Sequence, residues 1–368
     1  MAAPPECHDK PGTLFPKITG RVEEFVTNIS LQQQDYPDIP TSTSILLTGT
    51  AKLHGMHADI VINSNNEVRL QSRNLHSLSL SNDLQGYAAH MLPLYNEIIK
   101  IKDRIHARFL KLNPHLTIDD QNPLIIAGEW IGPGIQKKVA ISELPSRLFV
   151  IISININNIW VPDEPYGDIH SEKVGIYHVS TGGFFHHQLQ LEEAEDSLMG
   201  IQPLADEVER ECPFGKAFGI IGRGEGIVWK PAAPLCHDAR SWIKMKGPLS
   251  KVAPVAERKV EKGTKEQKAY AHEFAKSVVN EMRLEQGWQY MEEMRIQRDK
   301  KGIPAYLDWL LRDVDIEEGR IVRERGIDQS VLRKEITPIG REWYIARLKE
   351  AEMKEVLGTV GKLDLKEP

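Results

Sequence analysis

The chain has 368 residues, 41% of them hydrophobic and 27% charged, with a formal net charge of −6. Those proportions sit near the globular average and exclude fibrous and disordered classes, and the length allows two domains, one with a sizeable core. The mildly acidic total does not announce a nucleic-acid binder, although phosphate contact needs a local basic patch and not a basic average.

The opening MAAPPECHDKPG has no apolar core segment and reads as a loose tail over 1–20, not as a signal peptide. No apolar run approaches the roughly 20 residues needed to span a bilayer. Cys7, Cys212 and Cys236 show no paired spacing, which suggests reduced thiols in an intracellular protein. From Ile45 to Lys246 short apolar runs alternate with turn signals, as strands require. TSILLTGTAKLHGMHADIVINSNNEVRLQSR begins as a strand carrying Lys52 and His54 before Gly55, then predicts a hairpin over Ser64-Asn65-Asn66. NDLQGYAAHMLPLYNEIIKIKDRIHARFLK has helical spacing through Leu92, Tyr95, Ile99 and Ile105. LIIAGEW and RLFVIISININNIWV predict strands, EEAEDSLMGIQPLADEVERE one or two short helices, and GIVWK and SWIKMKG further strands.

Strand texture stops after Lys246, and 248–263 reads as a basic, proline-containing linker. Beyond it, Tyr270, Phe274, Val278 and Met282 recur every four residues, the stripe of an amphipathic helix. Pro304, Tyr306, Leu307, Leu310 and Val314 predict a second helix. TPIGREWYIARLKEAEMKEVLG predicts a third, with Thr337 as N-cap, Pro338 in the first turn and Gly358 past the end. The fold class expected is α+β: a mostly antiparallel sheet domain over 21–247, then a small all-helical domain over 264–358.

Lys52-Leu53-His54-Gly55 alone is weak, since Lys-x-x-Gly arises by chance about once or twice in such a length. Further strand-borne groups follow it in order: Arg73; Glu129 in AGEWIGPGIQKKV; Glu225 and Lys230 in GEGIVWKP; Lys244 and Lys246 in RSWIKMKG. Alternation along a strand puts Lys244 and Lys246 on one face, where two like charges ask for an anion. Other clusters carry less. IIGRGEGIVWK leads into a strand and not a helix, so it is no dinucleotide loop, and kinase signatures are missing. Cys236-His237-Asp238 cannot converge on one atom and reads as a loop, and His186-His187 lacks a third ligand at metal spacing and reads as exposed.

The ordered set KLHG, Arg73, GEWIGPGIQ, GEGIVWKP and WIKMKG resembles the covalent nucleotidyltransferase superfamily of ligases and capping enzymes, and most closely the RNA ligase 2 family, over residues from about 45 to 250. The resemblance implies an adenylyltransferase domain of mostly antiparallel sheets with flanking helices, followed by a helical domain. It implies that Lys52 attacks the α-phosphate of ATP, forming a lysine–AMP phosphoramidate, with magnesium (Mg2+) or manganese (Mn2+) as cofactor. Only a neutral amine attacks, and a free lysine has a pKa near ~10.4, so cations such as Lys230, Lys244, Lys246 or the metal would favour reaction. His54 would meet phosphates, and Arg73 and Glu129 would hold the ribose and neighbouring phosphate. Glu225 would hold the metal's water shell or the lysine, and Lys244 and Lys246 would grip the α-phosphate.

There are departures from the family. His57 stands where the family has asparagine, and Ser72 where it commonly has lysine. Ile152 and Ser153 replace a Phe-Asp pair whose aromatic ring stacks on adenine. Ile152 can cover a purine face, with Phe149 or Phe218 as substitutes. The implied function is an ATP-dependent RNA ligase joining 5′-phosphate and 3′-hydroxyl RNA ends held on a duplex, with the helical domain binding the 3′-hydroxyl strand. The basic run Lys244 to Lys268, with 8 positive against 3 negative residues, adds an expected RNA backbone contact. A DNA ligase or GTP-using capping enzyme is the enzymatic alternative, though both usually carry an oligonucleotide-binding β-barrel where this chain turns helical. A degenerate RNA-binding relative is the non-catalytic one.

Overall fold

Short apolar runs, some alternating with polar residues, build the strands β1 (Ser44–Lys52), β2 (Met56–Ile62), β3 (Val68–Ser72), β4 (Leu124–Ile131), β5 (Leu148–Ile156), β6 (Ile159–Trp160), β7 (Ile176–His178), β8 (Phe185–Gln190), β9 (Gly226–Pro231) and β10 (Ile243–Lys246). The computed structural model describes residues 13, 15–35, 43–250 and 264–363. The tail through residue 12, with Cys7, and the linker residues 251–263 lie outside them. The chain divides into two compact units, Met1–Ser250 and Lys251–Pro368.

In the first unit one sheet runs β10-β9-β1-β8, all antiparallel. A larger sheet runs β3-β2-β4-β5-β6, with β7 added parallel to β5. Each sheet turns one face to a core built with helices. Met56, Ala58, Ile60 and Ile62 of β2 join Ile98, Ile101, Ile105 and Phe109 of the helix Tyr95–Leu112 in one core. His57 and Asp59, one position out of phase, therefore lie on the opposite face. In the smaller sheet, Ile45, Leu47 and Ala51 of β1, Ile227 and Trp229 of β9, and Ile243 and Met245 of β10 form a second core with Phe25, Ile29, Ala205 and Val208. That phase leaves Lys52, Lys230, Lys244 and Lys246 on the other face. The two remaining faces meet, since Lys230 on β9 reaches the Ile152 carbonyl and Ser153 on β5.

Several elements differ from expectation. The helix Val22–Asp35 precedes the first strand that the sequence predicts. The helix predicted from 82 onward is interrupted at Leu92–Leu94, where Pro93 has no N–H to give. His186 and His187 lie in β8, His186 exposed and His187 half-buried. The segment 192–211 forms two helices, Ala194–Gly200 and Gln202–Arg210, within the one or two expected.

The second unit holds the helices Lys265–Val278, Glu281–Glu293, Ile303–Glu324 and Gln329–Leu363. Met282 does not extend the first of these, because Asn280 caps a new helix through the Arg283 N–H. The final helix begins eight residues before Thr337, its first turn held by Asp328, which accepts from the Ser330 and Val331 N–H groups. Thr337 is thus no N-cap. Its hydroxyl donates to the Arg333 carbonyl, Pro338 lies inside the helix, and the helix runs past Gly358. Tyr270, Phe274, Val278, Tyr306, Leu310 and Val314 pack in one core.

Candidate active site

Lys52 ends β1, and strand register places it beside Gly226 of β9, with Lys246 of β10 on the other flank of the same glycine. Glu225 precedes that glycine. Its side chain is 1% exposed and gathers three neighbours: Lys52 Nζ 2.5 Å from Oε2, Lys246 Nζ 2.8 Å from Oε1, and His54 Nδ1 3.3 Å from Oε2. Burial pushes the Glu225 carboxyl up, but Lys246, Lys52 and His54 together outweigh it and hold the group well below the usual carboxylate range. A buried anion is thereby fixed beneath two ammonium groups that keep partial contact with solvent, their side chains 24% and 29% exposed. No side chain fits at Gly226, where a Cβ would lie 2.1 Å from the Met245 carbonyl oxygen.

Glu129 on β4 lies opposite His57 on β2. Its carboxyl is pushed up to about 7 by withdrawal from water, aided by Glu225 and opposed by Lys52, Arg73 and a hydrogen bond from the Gly55 backbone. Gly55 must be glycine for that approach, because a Cβ there would sit 2.9 Å from Glu129 Oε2 and 2.7 Å from the Trp130 carbonyl oxygen. Arg73 follows β3, and its Nη1 donates to the Phe15 carbonyl at 2.6 Å. The segment carrying Thr13 and Phe15, for which the sequence predicts only a tail, lies against this face. Phe15 stacks on His57 with ring centroids 5.0 Å apart and packs on Trp160 and Trp242.

Of the cations expected around Lys52, Lys246 shares its carboxylate. Lys230 does not. Its Nζ, on a residue only 5% exposed, binds both oxygens of Asp163 at 2.8 and 2.6 Å, the Ile152 carbonyl at 3.0 Å and the Ser153 hydroxyl, and lies 4.2 Å from the Trp242 ring centroid. Asp163 was invisible in the sequence as a partner. It supplies the carboxylate that Ser153 lacks, while Ser153 still reaches the same ammonium. Lys244 is half-buried beside Gly20, its backbone N–H donating to the Thr19 carbonyl.

Ile152 is half-buried against Phe15, Trp160 and Trp242. Phe149 cannot stand in for a stacking aromatic, since it is fully buried in the helix-side core and a Cβ at Gly128 would lie 2.4 Å from its ring. Phe218 packs on Tyr177 and Phe214 beside Leu53.

Among the described residues no group of three or more His, Cys, Asp or Glu side chains is placed to hold a metal. Both Glu225 oxygens face cationic or imidazole partners, Lys52 among them. Cys212 and Cys236 are buried free thiols, and burial pushes Cys236 up to about 12. It lies in a short turn with His237, not in a nucleophile cluster. No helix among the described residues is long and apolar enough to cross a membrane.

A family model described as RNA ligase matches residues 47–246. No curated protein matches the chain. Among solved structures, a mutant of Naegleria gruberi RNA ligase with AMP and Mn aligns at a TM-score of 0.39 and 15% identity, covering 64% of this chain and 56% of that one. A second mutant of the same ligase, with ATP and Mn, aligns at 0.38 and 16%, covering 64% and 58%. The form with PPi aligns at 0.39 and 15%, covering 64% and 56%. The chain therefore spans little more than half the length of these ligases.

Proposed function

This chain belongs to the RNA ligase family, and from that premise we propose that it is an ATP-dependent RNA ligase working through Lys52. One observation carries the proposal: a strand-end lysine, partly open to solvent, held with a second lysine and a histidine on one buried carboxylate.

Lys52 Nζ attacks the α-phosphorus of ATP. An N–P bond forms, the α–β phosphoanhydride P–O bond breaks, and pyrophosphate leaves. Glu225 fixes the amine by accepting its hydrogen bond, and Lys246, with Lys244 on the same face, neutralises charge on the transferring phosphoryl group. Positioning and electrostatic stabilisation are most of what such transfer requires. Arg73 and Glu129 hold the ribose side of the nucleotide, His54 the phosphates, and Ile152, packed in the same cluster as Phe15, offers an apolar surface to the purine. A 5′-phosphate oxygen of RNA then displaces the lysine from AMP, and a 3′-hydroxyl displaces AMP from the activated end, leaving a phosphodiester. A divalent cation, magnesium or manganese, would supply charge neutralisation on the triphosphate when bound. Magnesium generally retains most of its waters, so it would need no all-protein cage.

Nicks or breaks held on duplex RNA are the proposed substrate, recognised by A-form shape and 2′-hydroxyls, with the helical unit and the linker contacting the strands. The test is labelled ATP with magnesium, followed by a sealing panel of RNA, DNA and mixed nicks. Label on the protein, lost in Lys52→Ala, and preferential joining of RNA ends are expected. Absence of label in the presence of nucleotide binding would favour a non-catalytic relative, and preferential joining of DNA ends would move the substrate class.

A further inference from the structure

A buried acceptor on β2 has no use in the scheme above. Thr13 Oγ1 accepts from the Phe15 N–H at 2.9 Å and donates its one hydrogen to Asp59 Oδ2. Toward His57 Nε2, 3.1 Å away, it can therefore only accept. The ring proton of a neutral His57 must sit on Nε2, which also lies 2.8 Å from Asp59 Oδ1. Burial, the largest influence, lowers the His57 pKa, and Arg73 adds to it against the pull of Asp59, so the neutral ring is the relevant form. Nδ1 is left as a bare lone pair. The residue is 8% exposed, and Nδ1 has no hydrogen-bond partner among the described residues. Phe15 stacked on the ring, with an interplanar angle of 27°, restrains it from turning.

A buried acceptor calls for a donor. The phosphates of a bound nucleotide carry none at neutral pH, whereas its ribose hydroxyls do. His57 stands opposite Glu129 in strand register and close enough to Arg73 to feel its charge, and these two are the groups proposed to hold the ribose. We infer that His57 Nδ1 accepts a hydrogen bond from a ribose hydroxyl of the nucleotide, and that Asp59 and Thr13 are positioning residues holding the ring in its accepting tautomer. The inference rests on the nucleotide-binding half of the proposed function and makes His57 a determinant of sugar selectivity.

Equilibrium binding of AMP, 2′-deoxy-AMP and 3′-deoxy-AMP to the full chain tests it, without requiring turnover. Loss of one hydrogen bond with its buried acceptor left unpaired weakens binding roughly tenfold, so one deoxy nucleotide is expected to bind about that much more weakly than AMP. His57→Leu abolishes the ratio, and His57→Asn, whose amide oxygen can accept, retains most of it. A general packing defect weakens all three ligands alike and leaves the ratio unchanged. Equal binding of the three by the unsubstituted chain overturns the inference even if His57→Leu does not fold. So does an unchanged ratio in a folded His57→Leu, or a loss that follows removal of the adenine amino group in inosine monophosphate instead. A chain that discriminates the sugars but never takes up label contradicts the ligase reading alone. One that binds no nucleotide contradicts both.

Discussion

Removing the Asp163 charge isolates Lys230. The residue is 5% exposed, and its ammonium lies 2.6 to 2.8 Å from the two Asp163 oxygens. At an effective dielectric of about 20, a unit pair at that separation attracts by roughly 6 kcal/mol before desolvation is counted. In Asp163→Asn the Ile152 carbonyl, the Ser153 hydroxyl and the Trp242 face remain as partial solvation. The net loss is expected at about 3–5 kcal/mol, the usual range for breaking a buried pair. Chemical denaturation followed by tryptophan fluorescence is the assay, since Trp242 lies against the Lys230 ammonium. Adding Ser153→Asp to Asp163→Asn returns a carboxylate to the same ammonium, and part of the loss should be recovered, less an overpacking cost of about 1–3 kcal/mol. A change within about 0.5 kcal/mol for Asp163→Asn, the level of an ordinary surface substitution, would refute the assignment of Asp163 as the partner of Lys230.

Glu129 gives a pH signature. Its folded-state pKa, about 7, lies above the ordinary 4.5, so the folded chain holds an extra proton between those values and loses stability as pH rises through them. About 3 kcal/mol is at stake, and Glu129→Gln should lack that decline when denaturation at about pH 5 and about pH 8 is compared; equal declines would contradict it. Glu225→Gln leaves Lys52 and Lys246 without a countercharge and should cut labelling by roughly 100-fold, read from initial rates with labelled ATP. Gly55→Ala places a Cβ 2.6 Å from Ile131 and 2.7 Å from the Trp130 carbonyl oxygen, and should cost about 1–3 kcal/mol in thermal unfolding. In the helical unit Arg283 is 8% exposed and bound to Asp313 at 2.9 Å and Glu318 at 3.1 Å. Arg283→Met should cost about 3 kcal/mol by stranding two carboxylates, seen as a lowered denaturation midpoint.

Strand phase was the best-written signal in the sequence. Period-two alternation in SWIKMKG separates Lys244 and Lys246 from Ile243 and Met245, and burial follows that division. Three residues of the ordered motifs, Lys52, His54 and Lys246, meet at the carboxylate of a fourth, Glu225. Lys230 does not share the Glu225 carboxylate because it lies on the same face of its strand but four residues along it from Gly226. Register pairs it with Thr48 rather than Lys52, and a partner from the loop after β6 claims it. Neither Asp163 nor Thr13 carries any spacing that marks it, because both reach the site from irregular chain whose course only tertiary packing determines. Phe149 looked available because alternation does not say which face meets the helices; Gly128 opens space for its ring on the core side. Thr337-Pro338 has the form of a helix start. The longer helix overrides it because Asp328 caps nine residues earlier and Ile336 and Tyr344 bury their side chains on either side.

The central claim is that the amine of Lys52 becomes bonded to phosphorus. Intact-mass measurement of the purified chain after incubation with ATP and magnesium addresses it directly, with peptide mapping to locate any adduct. A gain of one adenylyl group on the peptide containing Lys52, with release of pyrophosphate and loss of both in Lys52→Ala, is the predicted result. An unchanged mass with no pyrophosphate released, or an adduct on another residue, would contradict it.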